Sequence, residues 1–403
     1  MLSDNFNFQS PDFTQQLNLP KRSHLYPLQP LLLGTPLTES FTSYVTRLAA
    51  IHRVPTGVLL AQELAPTISR YPVKNSNHLS NLFFHAFFSQ TGAWNGTGTM
   101  ALEPVLVLQK LTQQPNLKYL TLIHWQNVLS TRNLLRKYKA WCPLCYSESS
   151  QKGIMLYEPL IWCVSAVKIC PIHKYPLMNY CPNCGQHIYL LAWNTKNGFC
   201  CRCHYWLGSS CSTIELYNVN RQDIEWHSFI AQQVGLLIAN TPYLIEIPKR
   251  EFVAIAIDKC IEVLTKGNAK AFAQEMFLSS TVPRDWRVGN ALPQLDKLLR
   301  VCYRLSIPLI DIYLGQLKLD APIYLKELPL SEQYFKTNRP FDAQMVQEFL
   351  EQHQESFPPQ SLKELALQIG YDSRDLYKYF PDLCHEISTR YKLYKPKSSK
   401  PHV

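Results

Sequence analysis

Residues 141–203 carry Trp141-Cys-Pro-Leu-Cys145, Cys170-Pro-Ile-His173, Cys181-Pro-Asn-Cys-Gly185 and Cys200-Cys-Arg-Cys203, four half-sites of thiol or imidazole in one stretch of a 403-residue chain. A Cys-x-x-Cys turn offers two ligands to one metal ion from adjacent backbone positions, and zinc takes four such ligands in a tetrahedron. Fifteen residues separate Cys184 from Cys200, a zinc-ribbon spacing. Twenty-four separate Cys145 from Cys170, which leaves room for an inserted helix around Leu156–Val167. The sequence thus predicts two structural Zn2+ ions, one held by Cys142, Cys145, Cys170 and His173, the other by Cys181, Cys184, Cys200 and Cys203. Gly185 supplies the open backbone that such a knuckle uses. Because Cys201 adjoins Cys200 and His204 adjoins Cys203, the last half-site also reads in a neighbouring register. Four protein ligands leave no position for a reacting water, so both ions are expected to hold structure, at on the order of 10 kcal/mol per site. Buried free thiols are the plain alternative, and four correctly spaced pairs argue against it; Cys163, Cys211, Cys260, Cys302 and Cys384 fit no pair and read as core thiols.

The rest of the chain reads as helical. Apolar residues make up 46% and charged residues 17%, the balance of a folded protein, and the net charge of +10 makes nucleic acid the first partner to consider. No signal peptide or membrane-length apolar run is visible, so the chain reads as soluble and cytoplasmic, and thirteen cysteines in a reducing compartment are not a disulfide framework. The fold class is expected to be mainly α with small zinc-ribbon β elements, including a strand near Ile188–Trp193. The expected organisation is an extended arm over 1–35, a helical domain over 36–140, a double zinc region over 141–215, a helical domain with a repressor-like helix-turn-helix over 220–330, and a C-terminal helix-turn-helix with a basic tail over 335–403. In the helical N-terminal domain Thr38 reads as an N-cap with Glu39 in the first turn, followed by an apolar face of Phe41, Tyr44, Val45, Leu48 and Ile51. Ser40 also reads as a capping residue. Further helices are expected at Val58–Leu64, His78–Phe88, Glu103–Leu111 and Leu117–Leu135, with a loop over Thr91–Thr99.

Two segments read as helix-turn-helix units. At Ser361–Phe380, Ser361 and Glu364 form a capping box, and Ala366, Gly370 and Leu376 stand at the small, left-handed and apolar positions of the motif. Arg374, Lys378 and Tyr379 are then expected on the outer face of the second helix, ending at Phe380 and Pro381, with Arg390, Lys392 and Lys395 in a basic, aromatic tail suited to phosphates. An ordinary helical hairpin with a solvated basic end is the alternative. In the second segment, Asn268 caps a helix bearing Phe272, Ala273 and Met276, Ser279 or Ser280 starts the next, and Arg284 and Arg287 sit where a recognition helix would face DNA. Here Phe277 occupies the glycine position, and a structural bundle fits equally well.

Pro36-Leu-Thr-Glu-Ser-Phe-Thr-Ser-Tyr-Val-Thr-Arg-Leu-Ala49 is similar to the N-terminal segment P-x-x-E-S-x-x-S-(W/Y)-x-x-R-L-A of the TniQ/TnsD family, the target-selection proteins of Tn7-like transposons. The resemblance continues through Trp141-Cys-Pro-Leu-Cys145, Trp162, Cys170-Pro-Ile-His173 and Cys181-Pro-Asn-Cys-Gly185, covering roughly residues 30–210. Leu292–Gly315 is similar to the last helices of phage-repressor-like domains, and Ser361–Tyr391 resembles segments at the end of some longer family members. The resemblance implies a protein that marks a double-stranded DNA target and recruits an AAA+ ATPase regulator of the TnsC type, which engages the transposase. Some members read an attachment site directly; others act as adaptors on a CRISPR effector complex. A zinc-containing helix-turn-helix transcription factor is the rival reading. An enzyme is disfavoured, because no P-loop, H-E-x-x-H or G-x-S-x-G segment occurs.

Overall fold

The computed structural model describes residues 22–68, 88–208, 221–319, 322–333, 341–356, 359–369, 371 and 373–394. In chain order its helices are α1 (Phe41–Ile51), α2 (Thr56–Leu59), α3 (Thr99–Thr112), α4 (Pro143–Gln151), α5 (Arg221–Asn240), α6 (Arg250–Thr265), α7 (Ala269–Glu275), α8 (Val282–Arg287), α9 (Leu295–Leu305), α10 (Leu309–Tyr313), α11 (Ala343–Gln354), α12 (Leu362–Ile369), α13 (Ser373–Tyr379) and α14 (Pro381–Tyr394). They group into two compact units: the first runs to Arg250 and adds 292–299 and 308–314, and the second takes 251–291, 300–307 and the residues from Gly315 onward. Among the described residues no helix is long and apolar enough to cross a membrane.

Ser40, not Thr38, caps α1: its hydroxyl accepts from the Ser43 N–H at 3.2 Å, satisfying a donor that has no partner within the helix. Thr38 and Glu39 lie in extended backbone before it, because a distant segment takes their polar groups. Leu160 N–H donates to the Thr38 carbonyl (2.8 Å), and Ser40 N–H donates to that of Glu158 (2.9 Å). Phe41, Tyr44, Val45 and Leu48 are fully buried, whereas Ile51, in the last turn, is 40% exposed and off the predicted face. Around them pack Leu59, Leu60 and Leu64 of α2 and its π-helical continuation, Trp94, Val105 and Leu108 of α3's neighbourhood, and Leu117 and Leu120. The arm residues Leu25 and Leu28 join this core; the Leu25 N–H donates to Leu111 (2.9 Å) and Tyr44 Oη donates to Leu28 (2.9 Å).

Several expected elements are shorter than periodicity suggests. Leu117–Leu135 is not one helix but two 3-10 turns, Pro115–Leu120 and Ile123–Trp125, broken where Leu122 N–H donates to Asn95 rather than to its own helix. Thr91–Asn95, expected as loop, is a 3-10 turn. The helix expected around Leu156–Val167 is reduced to a 3-10 turn at Leu160–Cys163. Pro159 has no N–H to donate, and Arg136 N–H and Ser165 N–H pair this segment with 134–136 instead (2.9 Å each). The β content is limited, among the described residues, to isolated bridges such as Trp141 with Met178 and Tyr138 with Tyr189, so Ile188–Trp193 forms no strand. The helix expected at His78–Phe88 lies almost wholly outside the described residues.

α5 belongs to the first unit, whereas the sequence grouped it with residues up to 330. It buries Trp226, Ile230, Val234, Leu237 and Ile238, and Gln233 Oε1 accepts from the Leu309 N–H at 2.8 Å. A Cβ on Gly235 would stand 2.9 Å from Pro36 Cβ, so only glycine permits this approach.

In the second unit Asn268 caps α7 as expected, its Oδ1 accepting from Lys270 (3.1 Å) and Ala271 (3.0 Å). Phe277 takes the left-handed conformation in place of glycine (φ 52°), held by Arg300 donating to its carbonyl at 2.9 Å and by the Arg304 guanidinium 5.1 Å over its ring. α8 begins after Thr281 rather than at Ser279 or Ser280. Toward the C-terminus, Val346 and Leu350 of α11, Leu365 and Ala366 of α12, Leu376 of α13, and Cys384 and Ile387 of α14 form one core. The capping box is present: Ser361 Oγ accepts from Glu364 N–H (3.3 Å), and Glu364 Oε2 accepts from Ser361 N–H (2.8 Å). Gly370 lies outside the described residues. α14 carries the chain as helix to Tyr394, so Arg390 and Lys392 of the expected basic tail lie on it, and Cys384 and Ile387 give it an apolar face.

Candidate metal centres

Three of the four half-sites fold into the same turn. In each, the first cysteine's N–H donates to the carbonyl five residues on: Cys170 to Tyr175 (2.8 Å), Cys181 to Gln186 (2.9 Å) and Cys200 to Tyr205 (2.9 Å). Its carbonyl accepts from the N–H four residues on, at Lys174 (2.9 Å), Gly185 (2.8 Å) and His204 (3.0 Å). That fourth residue turns left-handed in every case, with φ of 52° at Lys174, 66° at Gly185 and 57° at His204. The turn curls both ligand side chains to one point, and only Gly185 adopts it without steric cost. The remaining half-site differs: Cys142 is the N-cap residue of α4, Pro143 starts the helix, and Cys145 lies in its first turn.

The turns bring the eight predicted ligands together in two groups of four, each with its ligand atoms within 4.8 Å of one another. In the first, Cys145 Sγ is 3.5 Å from Cys170 Sγ, and His173 Nδ1 is 3.5, 3.3 and 3.7 Å from Cys142, Cys145 and Cys170 Sγ. In the second, Cys181 and Cys203 Sγ are 3.6 Å apart, and Cys184 and Cys200 Sγ 3.9 Å. Zinc–sulfur bonds of about 2.3 Å in a tetrahedron give edges of about 3.8 Å, whereas a disulfide would need about 2.05 Å. The donor sets therefore fit metal ions and are compatible with zinc. Crowded thiols stabilise one thiolate at a time: hydrogen bonds from Cys142 and then Cys145 pull Cys170 down to about 2. A bound cation lets all of them ionise. Cys200 joins the second group; Cys201 does not.

His173 turns its Nε2 to Glu148 Oε1 at 2.7 Å, and the His173 and then Lys152 hydrogen bonds hold that carboxyl below its usual range. This leaves Nδ1 free for the metal and fixes the ring. Glu148 was legible in principle, since it follows Cys145 by three residues on α4 and so shares its face.

A buried polar network that sequence reasoning missed joins the first centre to α1. Lys139 Nζ and Glu158 Oε1 pair at 2.6 Å with both side chains buried, and Tyr146 Oη of α4 donates to the same oxygen at 2.9 Å. Ser43 Oγ accepts from Glu158 N–H (2.9 Å) and from Asn197 Nδ2 (3.1 Å), and donates to Glu39 Oε1 (3.0 Å). Glu39 is fully buried and takes Arg47 Nη1 at 2.5 Å and Leu31 N–H at 3.3 Å. Burial pushes its carboxyl up to about 7, against the pull of Arg47 and then Ser43. Glu39, Ser40, Ser43 and Arg47 of the N-terminal motif are thus internal ties. Partners more than a hundred residues apart, such as Ser43 and Asn197, leave no local pattern to read.

The residues expected to face DNA are dispersed. Arg374, Lys378 and Tyr379 are exposed on α13; Lys378 lies 5.3 Å over the Tyr379 ring, which stacks on Phe341 at 4.0 Å. Lys392 is exposed on α14, and Arg284 on α8. Arg287 is committed inside the second unit, pairing with Asp258 (2.6 Å) and Glu262 (2.7 Å) and donating to Gly267 O (3.2 Å). Arg390 donates to the carbonyls of Gln354 and Glu355 at the end of α11. In both residues the guanidinium group already serves protein acceptors. Lys395 lies outside the described residues.

No curated protein matches the chain. Residues 30–177 match the family model TniQ, a span holding the Glu39–Arg47 network and the whole first metal centre. The chain thus carries a TniQ domain over that span, a domain of proteins associated with Tn7-like transposition.

Proposed function

We propose that this chain is the DNA target-site selector of a Tn7-like transposon, binding attachment-site duplex DNA and recruiting an AAA+ ATPase regulator of the TnsC type that engages the transposase. The observation that carries this reading is the TniQ domain over residues 30–177. Both metal ions are zinc in this reading, and both are structural, because each centre has four protein ligands. DNA contact falls to the exposed Arg374, Lys378 and Tyr379 on α13, a short second helix after a capped first one, with Lys392 and Arg284 adding phosphate contacts. No residue is assigned a catalytic role.

The test measures binding of the full chain to attachment-site duplex at two salt concentrations, and separately to the ATPase. Replacing Arg374 and Lys378 together by Ala is expected to weaken DNA binding across sequences and to reduce the salt slope by about 2. Unchanged affinity and slope refute the α13 surface. A chain that binds the ATPase but no duplex is instead an adaptor that a CRISPR effector complex brings to DNA. One that binds duplex but no ATPase is a transcription factor.

A further inference from the structure

We propose that the cleft beside α1 is a docking site for a short, acidic, amphipathic segment of a protein partner. The inference rests on the recruiting role proposed above and names the kind of segment through which recruitment occurs. The cleft lies within the first unit and measures about 970 Å³. One wall is the outer face of α1 and its exit, the second is the loop after α4, and the third is the 194–197 turn with His204 of the last knuckle. An α-helix about 10 Å across occupies roughly 400 Å³ per 5.4 Å turn, so the cleft takes about two turns.

Its walls decide the chemistry. Ile51, Val54, Pro55, Ile154, Met155 and Leu156 line it, and Ile51, Ile154 and Met155 are 40, 55 and 57% exposed. Large apolar side chains clustered in a concave surface mark a place where a partner's apolar side chains are received, and the unbranched Met155 adapts to them. The cationic residues of the lining are Arg47 and Lys196, and no Asp or Glu is among the lining residues. Glu148, on the helix leading into the second wall, is engaged by His173 and Lys152. Arg47 is committed to Glu39, so the exposed Lys196, its ammonium 4.6 Å over the Phe199 ring, is the lining cation that meets a carboxylate. A nucleic acid would want several cations without a carboxylate partner; here Lys196 is the one lysine of a lining rich in large apolar side chains, and Arg47 is paired. That arrangement suits a helix with apolar residues at i, i+3 and i+4 and acids along one flank.

A displayed library of 12-residue peptides is selected on the metal-loaded full chain, with a Met155→Glu/Lys196→Glu variant as counter-target. Both residues are exposed, and metal content and tryptophan fluorescence check that the variant folds. The expected result is a set of acidic amphipathic peptides that bind the wild type and lose at least tenfold on the variant. No enriched peptides, enriched peptides that bind both chains alike, or enriched basic ones overturn the proposal. A duplex DNA whose affinity falls tenfold on the same variant overturns it also. A selected peptide is then used to compete with the TnsC-type ATPase. Displacement supports both readings, whereas a peptide specific for the cleft that displaces no ATPase keeps the docking site and removes the recruiting role.

Discussion

Removing one oxygen atom, by Ser43→Ala, tests whether the N-terminal motif is a structural tie. The Ser43 hydroxyl accepts from the buried Glu158 N–H, donates to Glu39 Oε1, and accepts from Asn197 Nδ2. Asn197 keeps a second acceptor in the Leu156 carbonyl at 3.2 Å. The substitution therefore orphans two buried groups, the Glu158 amide and one position on Glu39. Each costs about 1–3 kcal/mol when left without a partner, so the gross loss is about 2–6 kcal/mol. Better helix propensity for alanine within α1 returns about 0.5 kcal/mol, leaving a net loss of about 1.5–5.5 kcal/mol. A surface serine would lose at most about 0.5 kcal/mol. The assay is urea unfolding of the metal-loaded chain together with native-state hydrogen exchange of the peptide containing the Glu158 amide. Faster exchange there, with a lower unfolding midpoint, is the expected outcome. A loss below about 1 kcal/mol with unchanged exchange would refute the network.

Cys142→Ser and Cys181→Ser are each expected to remove one metal ion per chain and to unfold their own centre; elemental analysis showing full content in either variant contradicts the ligand assignment. Lys139→Met leaves the Glu158 carboxylate buried with only Tyr146 beside it and is expected to cost about 3–5 kcal/mol in denaturant unfolding. An effect within 1 kcal/mol would mean that the pair carries no charge burden. Lys174→Gly relieves the left-handed strain at an exposed knuckle position and should stabilise the first centre by roughly 0.5–1 kcal/mol, seen as slower metal release to a chelator. Release that is faster or unchanged shows that the strain is absent or that Lys174 contributes otherwise.

The helical class and the two ligand groups were legible because their signals are local. A Cys-x-x-Cys turn reports its own geometry, and the Ser361–Glu364 capping box and the Asn268 cap sit beside the helices that they start. The Cys200-or-Cys201 choice was open in the sequence, since adjacent residues satisfy the same spacing; the left-handed turn at His204 decides it by pointing Cys200 inward. Where backbone groups bond far along the chain, local reading fails. Thr38 looked like a cap until Leu160 claimed its carbonyl, and Leu117–Leu135 looked helical until Asn95 claimed the Leu122 N–H.

The fate of charge was equally out of reach. Arg287 and Arg390 have the composition of phosphate contacts, yet carboxylates and helix-end carbonyls in the fold take their donors. From its own letters the chain determines where metal ligands and helices occur, because those depend on spacings of three or four residues. Only the tertiary structure decides that Glu39, Ser43 and Arg47 face inward, with Lys139, Glu158 and Asn197 completing them. Buried polar atoms must find partners wherever the packed chain supplies them.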